Sequence, residues 1–215
     1  LKAGRLEDLT GRTLAVPMRY SGHNISIMQL MAEKNLRGQI NVVEMNPPDM
    51  AAALAAGSLD AYYVGEPFAA QTLKSGHADV MHYVEELWPN FICNLMVVRQ
   101  EFIDSAPRLV ERLVEGAARA GIWAAQNVPE AARIASAYWN QNLDLVEYSL
   151  TTPKNRVVYD RFVPRQDEIQ QIADLMIQFS LLENNDVSGL VDDRFARQAN
   201  LEGITNIESI LRGSG

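Results

Sequence analysis

The chain has 215 residues, 47% of them apolar and 21% charged, which is enough apolar material for one large globular domain or two small ones. Its formal net charge of −8 argues against nucleic acid as a partner, because a phosphate backbone has to be neutralised by Lys and Arg. No apolar run approaches the roughly 18 to 20 residues that span a bilayer, and the single cysteine, Cys93, rules out a disulfide within the chain.

Leu1 to Gly11 is polar and runs into Asp8-Leu9-Thr10-Gly11-Arg12, a turn signal. Leu14-Ala15-Val16-Pro17 then reads as a short strand and Met18 to Gly22 as a loop. A helical pattern starts at Asn24, with Ile25, Met28, Gln29, Met31 and Ala32 at helix spacing. Ile40 to Met45 is a second strand, Pro47-Pro48-Asp49 opens a second helix, and Ala61 to Val64 is a third strand that ends in Gly65-Glu66-Pro67-Phe68. The order β-α-β-α-β predicts a parallel sheet with right-handed crossovers. Ligands of open α/β sheets sit beyond the carboxyl ends of the strands, here Ser21 to Asn24, Asn46 to Asp49, and Gly65 and Glu66.

A short helix to Lys74 follows, ended by Ser75-Gly76. Ala78 to Val84 and Asn94 to Arg99 are further strand candidates, separated by a crossing segment from Glu85 to Asn90. Cys93 is expected to be a small buried hydrophobe in the second of these runs. The rest is mainly helical. Asp104 to Pro107 starts a long helix with an apolar stripe of Leu109, Val110, Leu113, Val114, Ala117, Ala120, Gly121 and Trp123. Val128-Pro129-Glu130 opens the next helix, to about Trp139, and Asp144 to Ser149 is a short helical turn. Val157-Val158-Tyr159 reads as a short strand. Pro164 to Leu182 is an amphipathic helix with Ile169, Ile172, Ala173, Met176, Ile177 and Leu181 inward, and Val191 to Ala199 is the last clear helix. The tail from Leu201 to Gly215 is expected to be poorly held.

His23 is the leading candidate for ligand contact. It lies at a helix start, where free backbone amides and the helix dipole favour anions, and an imidazole there can donate a hydrogen bond near neutral pH. Ser21, Gly22 and Asn24 share that turn, although Ser21 or Asn24 could simply cap the helix and leave His23 a solvated neighbour. Arg19 offers a planar fork suited to sulfonate or carboxylate. Glu66 would repel an anion but attract an ammonium, and it could equally serve as a local cap. Asn94 lies where the chain is expected to cross between lobes. No catalytic residue is assigned: there is no nucleophile elbow, and His77 and His82 do not cluster with His23 into a metal site. No cofactor motif is present.

The ordered set Ala15-Val16-Pro17, His23 at a helix start, Pro47-Pro48-Asp49-Met50, Leu54 to Ala61 and Val64-Gly65-Glu66-Pro67-Phe68 resembles the second lobe of a periplasmic binding protein. The branch is the nitrate/sulfonate/taurine and thiamine-pyrimidine-precursor-binding one of ABC importers. A weaker resemblance continues through Val97 to Phe102 and the helices beyond. It implies an α/β, type II periplasmic-binding fold, with residues 12–88 as the complete second lobe. Residues 1–11 and 89–215 would form crossing segments and the helical C-terminal part of the first lobe. In nitrate-binding relatives a histidine at the place of His23 contacts the anion. The resemblance further implies a solute-binding component that captures a small anionic or zwitterionic solute between two lobes, acts as a monomer outside the cytoplasmic membrane (periplasmic or lipid-anchored), and delivers to a membrane permease. It also implies that the chain lacks a signal peptide and the opening part of the first lobe, and that the apolar helical stripes pack on a sheet completed by those residues. The same fold serves ligand-sensing domains of transcription regulators. It also serves thiamine-pyrimidine synthases, whose cysteine-rich iron motif is missing here.

Overall fold

The computed structural model describes residues 3–211. By Cα proximity it divides into two compact units, Leu1–Leu95 with Gln171–Asn185, and Met96–Gln170 with Asp186–Gly215.

The first unit is built on strands β1 (Thr13–Val16), β2 (Asn41–Glu44) and β3 (Ala61–Tyr62), in the order β2-β1-β3 and parallel throughout. Thr13 pairs with Asn41 and Val16 with Glu44, while Leu14 pairs with Ala61. The ladder extends past β3 through Tyr63 N–H donating to Ala15 O at 2.9 Å. Helix α1 (Gly22–Glu33) follows β1 and α2 (Pro47–Ala55) follows β2, so the expected β-α-β-α-β order is present. Central strand β1 is buried on both faces, which is why it reads as an unbroken apolar run. Leu14 and Val16 meet Ile27, Met31, Leu36 and Ile40, and Ala15 meets Met50, Leu59 and Val64 on the opposite face.

Helix α1 is itself buried on two sides. Ile27 and Met31 face the sheet, while Ile25 packs with Phe179 and Leu181, which follow helix α9 (Gln166–Gln178). Helices α3 (Phe68–Lys74) and α4 (Val84–Leu87) complete this unit. α3 ends at Ser75, and Gly76 takes φ +71°, the left-handed conformation that the Ser-Gly pair signals.

The second unit is helical: α5 (Gln100–Ser105), α6 (Pro107–Gln126), α7 (Val128–Trp139), α8 (Leu143–Thr151), α10 (Arg194–Gln198) and α11 (Ile207–Ile210). Proline stands in the first turn of both α6 and α7, where its missing N–H costs nothing. Buried Arg119 on α6 is the hub of this unit. Its guanidinium donates to four backbone carbonyls: Asn200 O at 2.6 Å, Ser209 O at 2.8 Å, Glu202 O at 2.9 Å and Ile210 O at 3.1 Å. Glu115, one turn earlier, accepts from Asn200 N–H at 3.1 Å.

Several expectations are corrected. Among the described residues, 78–84, 94–99 and 157–159 form no strand. A β-rich run becomes a strand only when another strand satisfies its N–H and C=O groups, and none lies beside these. Leu95, Met96 and Val97 are instead exposed, and Cys93 is exposed rather than buried. On α6 the buried line is Val110, Ala118, Arg119 and Trp123, while Leu109 and Leu113 face outward. Helix α9 stops at Gln178, and Ile177 is exposed, because Leu181 reaches the core only after the chain turns at Ser180, φ +56°. The last long helix shrinks to Arg194–Gln198. The tail is held as far as Ile210 by Arg119, contrary to expectation; residues 212–215, like 1–2, lie outside the described residues.

Candidate ligand-binding site

The carboxyl ends of β1 and β3, the loop 17–21 and the first turn of α1 come together in the first unit. Ser21 is the N-cap of α1: its Oγ accepts from Asn24 N–H at 3.2 Å and donates to Met18 O at 2.7 Å. Asn24 is buried and turned back into the loop, where Nδ2 donates to Arg19 O at 2.6 Å. Ser21 and Asn24 therefore shape the turn. The backbone N–H groups of Gly22 and His23, the first two of the helix, have no protein acceptor among the described residues, and they carry the positive end of the helix dipole.

The His23 ring stands edge-on to Tyr63, 5.1 Å between centroids, and to Phe91 at 5.7 Å. Trp88 closes the group, 5.6 Å from Phe91. Desolvation in this aromatic setting lowers the His23 pKa from its ordinary 6.5, so the ring is a neutral donor at pH 7. Phe91 is delivered by a turn: Phe91 N–H donates to Trp88 O at 3.2 Å, with Pro89 second and Asn90 third at φ +63°, the arrangement of a type II turn. Phe91 sits directly on Gly22, where a Cβ would come within 2.7 Å of its ring.

The other candidates lie apart from this group or are engaged locally. Arg19 is exposed; its N–H donates to Glu44 Oε2 at 2.8 Å and its guanidinium lies 5.7 Å from the centre of the Tyr20 ring. Glu66 Oε2 accepts from Ala70 N–H at 2.9 Å in the first turn of α3, the local role. Asn94 is exposed in the extended segment after Phe91. Sequence reasoning passed over Tyr63, Trp88 and Phe91. The available signal was Trp88-Pro89-Asn90, a turn that had to place Phe91 somewhere. Among the described residues no group of three His, Cys, Asp or Glu could hold a metal.

A parallel α/β sheet with polar loops at its carboxyl ends, joined to a helical part, is the fold of the periplasmic binding proteins. The ligand binding component of an ABC-type import system from Staphylococcus aureus, solved with zinc bound, superposes with a TM-score of 0.77 at 22% identity, over 89% of this chain and 65% of that one. The chain belongs to the NMT1-like family, whose model matches residues 2–139. It is 25% identical over 198 residues to a Bacillus subtilis (strain 168) protein provisionally named as binding aliphatic sulfonates, covering 90% of this chain. It is also 25% identical to the taurine-binding periplasmic protein of Escherichia coli (strain K12), covering 89% of this chain. The chain spans 58% and 63% of the lengths of these two relatives.

Proposed function

We propose that this chain belongs to the solute-binding component of an ABC importer that captures a small anionic or zwitterionic solute, an organic sulfonate or taurine foremost, outside the cytoplasmic membrane and passes it to a membrane permease. The observation that carries this reading is the first turn of α1. Two backbone N–H groups and the imidazole of His23 are left to donate there, at the sheet end where such folds hold ligands. The named binding activities of the two relatives support it. Capture makes and breaks no bond; binding shifts a conformational equilibrium by differential affinity. Ser21 and Asn24 hold the turn, His23 and the amides of Gly22 and His23 meet the anionic group, and Arg19 and Asn94 lie within the same unit as outer contacts. Glu66, engaged with α3, serves the scaffold first and would meet an ammonium group second.

The test is a thermal-shift panel of taurine, alkanesulfonates, nitrate, bicarbonate and aminopyrimidines, each repeated on His23→Ala. A sulfonate or taurine that stabilises the protein, and loses that effect in His23→Ala, is the expected result. Stabilisation by none of them would overturn the reading.

A further inference from the structure

The aromatic group beside His23 has more apolar surface than anion binding needs. Phe91 leans on the bare backbone of Gly22, which carries one of the two free N–H groups, and makes edge contacts with the rings of Trp88 and His23. Only glycine at position 22 admits the ring so close, since a Cβ would meet both Phe91 Cε2 and Cζ at 2.7 Å. An anion lodged at the first turn of α1 would therefore have an aromatic wall beside it rather than water. A compact, strongly hydrated anion would keep the N–H donors of the turn but lose hydration on the side that faces the wall, where nothing polar replaces it. An anion with an apolar body would bury that body there.

We propose that Phe91, seated on Gly22, is a specificity-determining residue that makes this site select anions carrying an apolar body over compact ones. The proposal rests on the placement of the anion at the first turn of α1. It predicts that affinity rises along the series methane-, butane- and hexanesulfonate.

Titration calorimetry with that series tests it on the unaltered protein and on Phe91→Ala, Phe91→Leu and Gly22→Ala, each checked for folding by circular dichroism. The unaltered protein should gain roughly three- to fourfold in affinity for each added methylene over the part of the chain that the wall covers. Phe91→Ala should flatten that gain while leaving methanesulfonate affinity within about twofold. Phe91→Leu should keep most of the gain, because the wall stays apolar, and Gly22→Ala should flatten it with Phe91 still present. Equal affinity for all three sulfonates in the unaltered protein, or an undiminished gain in folded Phe91→Ala, overturns the proposal and leaves the importer reading standing. Failure of every sulfonate to bind the unaltered protein removes the reading on which the proposal rests.

Discussion

The two units of this protein are held by opposite means. The first is organised by apolar contact: β1 is buried on both faces, and Leu14, Val16, Met31, Met50 and Leu59 close around it. The second leaves Leu109 and Leu113 of its longest helix facing outward and is tied together by a charged side chain, Arg119, bonded to four carbonyls across some ninety residues of sequence. An apolar core tolerates adjustment because contact is non-directional. A buried guanidinium does not, because each lost partner leaves a desolvated donor or acceptor.

That difference is tested most strongly at Arg119. Arg119→Ala should destabilise the second unit by about 4 kcal/mol, as four carbonyls, that of Ser209 in a buried bond and the other three in part-buried ones, lose their donor together. Limited proteolysis should then cut within 200–211, where the unaltered protein should resist because Arg119 holds the segment. Arg119→Lys should recover only a small part, since one ammonium cannot reproduce the planar fork. In the first unit, Met50→Ala removes a fully buried side chain between β1 and α2 and should cost about 3 kcal/mol in urea unfolding. Sensitivity of the C-terminal segment in Met50→Ala equal to that in Arg119→Ala would erase the contrast.

Smaller effects sharpen it around the site. Ser21→Ala removes the cap of α1 and should cost about 1 kcal/mol, read by chemical denaturation. The smallest effect concerns pH. Burial lowers the His23 pKa below its ordinary 6.5, so between that lowered value and 6.5 the unfolded chain binds more protons than the folded one. Stability from this group is therefore fully present above about pH 6.5 and is lost as pH falls through the lowered folded value. His23→Gln should flatten the stability profile in that window; an unchanged profile would show that the ring is not desolvated as described.

The chain order of the sheet was legible because it depends on local patterns. Three short apolar runs, the prolines at 47, 48, 107 and 129, and Ser75-Gly76 each act within a few residues of themselves. His23 at a helix start was legible for the same reason, and Ser21 showed its capping role in its residue type. Family resemblance extended this to the fold, because ordered motifs carry more information than any one of them.

The tertiary structure alone decided the rest. Runs 78–84 and 94–99 have strand composition, but a strand needs a partner, and pairing is a property of two segments. Phe91 could be placed on a turn from sequence; only the fold shows that the turn lands on Gly22, nearly seventy positions earlier. Nothing local marks Arg119 as different from the other arginines of α6. Its burial follows from where the chain returns after residue 199, and the carbonyls it binds are offered by backbone, which every residue possesses and no sequence pattern distinguishes.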